Sequence, residues 1–163
     1  YLAAERDTAH DPPYIGELAH YEWLEAEVIF DTREIDALEV DSHCDLPDGC
    51  PVANPVMRVR AYAYPVHRIG FDFQPQSAPA TPTYLVVFRR RNDAVSFMEL
   101  NAVSARLLDL IVANDGRPAR SLLLQIAEEL AHPDANVIVT GGCAILQSFL
   151  QRDIILGTVA ASA

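Results

Sequence analysis

Lysine is absent from the 163-residue chain, and all twelve of its basic residues are arginines. Without a lysine amine, Schiff-base and lysine-nucleophile chemistry are excluded. Apolar runs of the roughly 20 residues that a membrane span requires are absent as well, so no membrane association is expected. Because the sequence starts at Tyr1 and not at Met, and shows no secretory signal, we expect a fragment or a processed product.

Cysteine is scarce: Cys44, Cys50 and Cys143 make an odd set without zinc-finger spacing. A disulfide framework is therefore not expected, and a cytoplasmic location is favoured. His43 beside Cys44 would add a further metal ligand. No second ligand pair completes a tetrahedron, however, so an ordinary loop is the preferred interpretation and no metal is predicted.

Motifs of independent catalysis are missing too. The chain has no Gly-rich phosphate loop, no Gly-x-Ser-x-Gly elbow and no His-Glu-x-x-His sequence. We therefore predict no catalytic residue and no cofactor in this chain.

Charge is distributed unevenly. Residues 1–50 hold 14 acidic and 2 basic residues, whereas residues 51–163 hold 9 acidic and 10 basic residues. The net charge of −11 argues against affinity for a phosphate backbone, so nucleic acid is not an expected partner.

Local patterns predict two strands joined by a turn. Tyr84–Arg90 and Val95–Leu100 have the composition of half-buried strands, and turn-prone residues 91–94 separate them. A β-hairpin is the simplest pairing. Asn101 follows as a predicted helix N-cap.

Three amphipathic helices are predicted after the hairpin. Apolar spacing marks the first behind Asn101, Pro118 opens the second, and His132-Pro133 ends it. The third is expected over about residues 137–152. Its start is ambiguous because Val137–Thr140 is strand-like by propensity.

The N-terminal part contains one more helix and one more strand. Tyr14–Phe30 is predicted to be a helix with an acidic outer side, followed by a surface loop over residues 31–54. Val56–Tyr64 alternates as a strand does, and a proline-rich connector over residues 74–82 leads to the hairpin. The predicted fold class is α+β, with an N-terminal helical arm, a small antiparallel sheet and three C-terminal helices in a winged-helix-like arrangement.

Two Glu-x-x-His pairs deserve a chemical interpretation. Glu17 and His20, like Glu129 and His132, lie one helical turn apart, as in di-iron carboxylate bundles. Such bundles need further glutamates on other helices. A surface pair and a helix-end histidine are the preferred alternatives.

The short motif Tyr64–Arg68 is the most suggestive. Its His67 and Arg68 lie just past a strand end, where they could bind an anion or a partner's carboxylate. Equally, His67 could cap a backbone group in a turn. Both interpretations stay open on the pattern alone.

Phe97–Asn101, Ala105–Leu110 and Ile145–Leu156 together resemble the peptide-binding winged-helix modules of ribosomal-peptide modification systems, of which the pyrroloquinoline-quinone peptide chaperone is the simplest. With four more stretches the chain resembles the C-terminal part of HvfC-like proteins. Those stretches are Pro12–Tyr14, Glu17–Trp23, Tyr64–Ile69 and His132–Asp134. HvfC-like proteins are partner subunits of methanobactin-type enzymes that modify peptide cysteines, and they were long catalogued as DNA-binding proteins.

The resemblance implies the division of the chain. Residues 1–50 would be an acidic arm and loop at the end of a missing N-terminal helical domain, and residues 51–163 a winged-helix-like peptide-recognition domain. The chain would bind the leader of a ribosomally made precursor peptide. It would present the peptide's cysteines to an iron-dependent oxidative enzyme, its heterodimer partner, for oxazolone and thioamide formation. The iron would belong to that enzyme.

The resemblance also implies a groove between the edge strand 95–100 and the third helix. The residues expected to bind peptide are Phe97, Met98, Glu99, Leu100, Ile145, Phe149 and Arg152, with Arg89–Arg91 available to meet an acidic leader. The residues expected at the enzyme interface are Tyr64, Pro65, His67, Arg68, Tyr21 and Trp23. Plain core packing is the alternative for the apolar members. A DNA-binding regulator domain is the alternative function.

Overall fold

The computed structural model describes residues 11–35, 40–41, 46–113 and 116–160. Helix α1 spans Ile15–Ile29, close to the predicted helix, and begins after a turn in which the N–H of Ile15 donates to the carbonyl of Pro12 at 3.0 Å. Its buried side consists of Tyr21, Leu24 and Val28. This spacing of three and four residues gives α1 one apolar face, which packs on the sheet.

Five strands lie in the described residues: β1 (Cys50–Ala53), β2 (Met57–Tyr62), β3 (Thr83–Arg89), β4 (Val95–Leu100) and β5 (Ile155–Val159). β2, β3 and β4 form an antiparallel sheet in that order. The predicted hairpin is confirmed, with Val87 opposite Phe97. Its turn contains Asp93 in the left-handed region at φ 62°, which aspartate tolerates better than most residues.

Three helices follow the hairpin: α2 (Ala102–Val112), α3 (Ala119–Glu129) and α4 (Ala135–Gln151). The predicted cap is confirmed, because the Asn101 side chain accepts from the N–H of Ser104 at 2.8 Å. Residues 137–140 are helical, as the resemblance implied. Helix packing explains Gly142: a Cβ there would lie 2.1 Å from a Leu123 methyl carbon, so a larger residue would force the Leu123 side chain between α3 and α4 to move.

The three-stranded sheet is covered on both faces. Side chains of a strand alternate between faces, and in β3 Leu85 and Val87 share a buried cluster with the apolar side of α1. Val86 and Phe88 point the other way, into the main core with the three C-terminal helices.

Two strands were not predicted, and the expectation of a loop up to residue 54 was wrong at its end. β1 pairs antiparallel with β5 in a separate two-stranded sheet. β5 includes Gly157 at φ 153°, where a Cβ would lie 2.7 Å from the Asp41 carbonyl oxygen. The predicted division between residues 50 and 51 falls at the start of β1, and the division itself stays a prediction.

Asn54 joins the two sheets at the corner between β1 and β2. It is 2% exposed. Its amide nitrogen donates to the carbonyls of Arg89 at 2.8 Å and Asp153 at 2.7 Å, and its amide oxygen accepts from the N–H of Val56 at 2.7 Å. One side chain thus holds the hairpin and the end of the helical region to the same corner.

A short 3-10 helix, Val66–Arg68, follows β2 and carries the predicted interface motif. No helix in the described ranges is long and apolar enough to cross a membrane.

Candidate functional site

The outer edge of β4 presents main-chain groups that β3 does not use. The N–H of Arg90 donates to the carbonyl of Ala94 at 2.9 Å, so this pair at the turn is hydrogen-bonded. Hydrogen-bonded and non-hydrogen-bonded pairs alternate along an antiparallel ladder. With the observed register, Val95, Phe97 and Glu99 therefore direct their N–H and C=O groups away from β3.

This edge is open within the described part of the chain. There, β4 pairs with β3, and no other main-chain group bonds to its outer side. An unpaired strand edge is a template to which an extended chain can add.

On the opposite edge of the sheet, which is β2, arginine side chains bond two of the outward carbonyls. The N–H of Arg89 donates to the carbonyl of Val56 at 3.0 Å, and the same alternation then turns Met57 and Val59 outward. Arg58 donates to the carbonyl of Met57 at 3.0 Å, and Arg60 donates to the carbonyl of Val59 at 2.8 Å. These two outward carbonyls are therefore already bonded.

Arg58 is held in this position by α1. It donates to Glu27 at 2.7 Å and to Asp31 at 3.1 Å. The Arg33 guanidinium bound to Asp31, assisted by Arg58, holds the pKa of that carboxyl well below its usual range. The Arg58 side chain, which bonds the outward Met57 carbonyl of β2, is thus also part of the contact between α1 and the sheet.

Side chains from two predicted groups meet beside β4. Arg68 donates to the Glu99 carboxylate at 2.7 Å and through Nε to Nε2 of His67 at 3.1 Å. Glu99 Oε2 also lies 3.1 Å from His67 Nε2. His67 and Arg68, expected at the enzyme interface, therefore form one cluster with Glu99, expected to bind peptide.

His67 is largely withdrawn from solvent, with 7% of its side chain exposed. Burial lowers its pKa, and the positive charge of Arg68 acts in the same direction, which outweighs the opposing effect of Glu99. Nε2 faces both Arg68 Nε and the Glu99 carboxylate at 3.1 Å, so the tautomer decides whether it accepts from the first or donates to the second, while Nδ1 is buried without a partner in the described residues. His67 is uncharged at neutral pH.

Aromatic rings continue the cluster along α1. Phe97 contacts Tyr21 edge-on at 6.3 Å between ring centroids, and His67 at 5.8 Å. The chain of rings continues from Tyr21 through Tyr62 and His20 to Trp23. Trp23 is 58% exposed and Phe97 46% exposed, so the two ends of the chain are at the surface.

Glu17 positions the motif that carries His67. Its carboxylate accepts from the main-chain N–H groups of Ala63 at 3.0 Å and Tyr64 at 2.9 Å. Pro65 then precedes the 3-10 helix, and its carbonyl accepts from the N–H of Arg68 at 2.9 Å. The sequence singled out Glu17 for a different reason, and its role in the turn was missed.

The predicted groove between β4 and α4 requires correction. Leu100 and Phe149 are buried in the core, at 5% and 0% exposure, and present no surface to a guest. α4 packs chiefly on α3 and β5, whereas β4 packs on β3, α1 and α2. Ile145 lies on α4, partly buried against the main core, and Arg152 lies at the C-terminal end of that helix. Ile145 is therefore a packing residue of α4, and Arg152 is the C-cap residue of that helix.

The arginines of the hairpin are engaged within the chain. Arg89 donates to the main-chain carbonyls of Asp31 and Arg33. Arg91 pairs with Asp153 at 3.1 Å, and Arg90 lies 3.5 Å from the same carboxylate. The suggestion that these arginines meet an acidic leader is therefore not supported.

Neither Glu-x-x-His pair forms a joint site. His20 Nδ1 lies 2.9 Å from the Tyr62 hydroxyl, while Glu17 binds the main chain as described. Glu129 pairs with Arg106 at 2.7 Å, which lowers the pKa of the carboxyl to about 2, and His132 Nδ1 accepts from the N–H of Asp134 at 3.1 Å.

In the ranges that the structure describes, His, Cys, Asp and Glu side chains nowhere gather in threes that could hold a metal ion. His43 and Cys44 of the predicted loop lie outside these ranges. Cys50 is buried, its thiol donates to the Gly116 carbonyl at 2.9 Å, and burial raises its pKa.

The fold and the site define an α+β domain of winged-helix-like order with an open strand edge beside a polar and aromatic cluster. The sequence model of the family described as "HvfC C-terminal domain" matches residues 54–150, and the chain belongs to that family. Membership associates it with HvfC-type modification systems, in which it has a partner role. No curated protein matches the chain.

Proposed function

We propose that the chain is a non-catalytic partner subunit that binds the leader of a ribosomally made precursor peptide. The leader adds as a strand to the outer edge of β4. The subunit then presents the peptide's cysteines to a separate iron-dependent enzyme, which converts them oxidatively to oxazolone and thioamide groups.

The observation that carries the proposal is the difference between the two sheet edges. At β4, Val95, Phe97 and Glu99 supply three outward N–H groups and three outward carbonyls. At β2, arginine side chains bond the outward carbonyls of Met57 and Val59. Main-chain bonds to an added strand are available at β4 and independent of the guest's sequence, as a leader-binding module requires.

The meeting of the two predicted residue sets supports an adaptor role. His67 and Arg68 form one cluster with Glu99, which lies on the outer edge of β4. Trp23 is exposed at the other end of the aromatic chain. An enzyme that docks on Trp23 and Arg68 would thus lie next to a peptide bound along β4, because Arg68 contacts Glu99 of that strand.

The DNA-binding alternative has no favouring observation. α4, the helix that would enter a groove, carries no charged side chain between Ala135 and Gln151. Recognition helices place several cations near phosphates and base edges.

The test compares matched proline variants at the two edges. Val95→Pro removes an outward N–H of β4, and Ala61→Pro removes one of β2, while neither touches a bond to β3. Titration calorimetry with a precursor peptide of an HvfC-type system should show binding by the wild type. Val95→Pro should weaken it by about tenfold or more, because a guest carbonyl loses its donor, and Ala61→Pro should leave it unchanged.

Circular dichroism must show that both variants are folded. Equal loss in both variants, or no binding tighter than about millimolar by the wild type, would overturn the proposal.

A further inference from the structure

We propose that Phe97 forms a side-chain subsite which selects a guest strand carrying an aromatic or large aliphatic residue directly opposite it, and which disfavours a charged residue there. The inference rests on the proposed strand addition at β4 and specifies the chemistry of the segment that is bound.

Phe97 is the middle residue of the open ladder. It lies between Val95 and Glu99, the other two residues whose main-chain groups point outward. A guest residue bonded to Phe97 through the main chain would have its Cβ about 5 Å from that of Phe97, on the same face of the sheet. The two side chains would therefore be direct neighbours.

The Phe97 ring is held on its inner side and open on its outer side. Tyr21 contacts it edge-on, with planes at 89°, and His67 contacts it at a tilt of 52°. Tyr21 is itself 7% exposed and packed in the α1 cluster. Because its neighbours fix the ring, little conformational entropy opposes the docking of a second apolar side chain against it.

The two side chains that contact this ring, His67 and Tyr21, carry no charge at neutral pH. Glu99 is paired with Arg68, and His67 between them is uncharged at neutral pH. On α1, the Tyr21 hydroxyl donates to Glu25 at 2.7 Å. Burial, and after it this hydrogen bond, raises the pKa of the Tyr21 phenol, so the phenol stays protonated. A charged guest residue would lose solvation over the ring, and Glu99, the neighbouring outward residue of β4, is already paired with Arg68.

The probe is an acetylated, amidated threonine host peptide with one central variable position, filled by Phe, Leu, Ala, Glu or Lys. Threonine favours extended structure and adds no charge. Each peptide is titrated into the ¹⁵N-labelled chain, and dissociation constants are fitted to the amide shifts of Val95, Phe97 and Glu99. Phe97→Ala tests the ring, and Ser96→Ala is the matched control on the opposite face of β4.

The Phe and Leu peptides should bind on the order of tenfold to a hundredfold more tightly than the Ala peptide. The Glu and Lys peptides should bind no better than the Ala peptide. Phe97→Ala should abolish the preference, and Ser96→Ala should retain it.

A preference that survives Phe97→Ala, or tightest binding of a charged peptide, overturns the subsite. Equal binding of all five peptides with shifts at the three amides also overturns it, while strand addition stands. If neither these peptides nor the precursor shifts the three amides, the subsite and the proposed function both fail.

Discussion

The two edges of the three-stranded sheet face the same physical problem and solve it differently. Each edge leaves every second residue with outward main-chain groups, which invite pairing with any extended chain. On β2, Arg58 and Arg60 bond two of the outward carbonyls, those of Met57 and Val59. On β4, the outward groups of Val95, Phe97 and Glu99 have no such cover in the described residues.

This difference indicates that β2 is partly protected against strand pairing, whereas β4 is available for it. Charged side chains on an edge strand commonly prevent unwanted association. A domain whose β2 carbonyls are partly bonded and whose β4 edge is open favours strand addition at β4. The open edge also lies beside the Phe97 ring and the Arg68–Glu99 pair, which offer side-chain contacts that the β2 edge lacks.

Amide exchange gives the largest expected contrast between the edges. With precursor peptide at a hundred times its dissociation constant, the amides of Val95, Phe97 and Glu99 should exchange about a hundredfold more slowly. The outward amides of Val59 and Ala61 on β2 should be unaffected. Exchange monitored by NMR measures both sets in one sample, and protection at β2 would reverse the assignment of the edges.

Arg58→Gln should give the next largest effect, on stability. It removes the bonds to Glu27 and to Asp31, whose side chain is 8% exposed, so the free energy of unfolding should fall by about 2 kcal/mol. Arg60→Gln, at an exposed position without an ion pair in the described residues, should change it by less than about 0.5 kcal/mol. Urea denaturation distinguishes them, and equal losses would mean that α1 does not anchor the Arg58 side chain.

Arg60→Ala should expose the Val59 carbonyl on the β2 edge, with a smaller effect that is measured as self-association. The Val59 carbonyl loses its donor, so self-association should become detectable by sedimentation velocity at high protein concentration. Arg120→Ala removes the same charge from α3 together with the Arg120–Asp48 ion pair, which involves neither edge strand, and should leave the sedimentation behaviour unchanged. If neither variant self-associates, Arg60 does not prevent association through the β2 edge.

The titration of His67 should give the smallest effect. NMR should place its pKa below the ordinary 6.5, because burial disfavours the charged ring. A lowered histidine pKa adds stability that is present above 6.5 and lost as the pH falls through the folded-state value. Glu99→Gln should lower the pKa further and Arg68→Gln should raise it. A shift in the opposite direction in either variant would contradict the described cluster.

Local features of the fold were predictable from the sequence, and distant pairings were not. The hairpin turn and the Asn101 cap depend on residues next to each other in the chain, so composition and spacing indicated them. β1 is four residues long and pairs with a strand about a hundred residues later. No periodicity within either segment signals that partner.

The candidate site shows the same limit. The sequence singled out His67, Phe97 and Glu99 separately, but their contact brings together a 3-10 helix and a strand whose register only the folded sheet defines. Arg58 and Arg60 alternate with apolar residues in the strand predicted over Val56–Tyr64. Alternating arginines could have indicated an edge, although the pattern does not say which carbonyls they bond. The groove was implied by the resemblance, and a resemblance does not say which residues are core, as Leu100 and Phe149 are here.

The corner residue Asn54 has a consequence for what the chain can tolerate. Its position demands two hydrogen-bond donors and one acceptor within a small buried volume. Aspartate would direct a carboxylate at two carbonyl oxygens and could fit only by taking up a proton, while leucine would leave two carbonyls and an N–H without partners. The joint between the two sheets therefore depends on a single primary amide, and the common isosteric replacements each lack part of its bonding capacity.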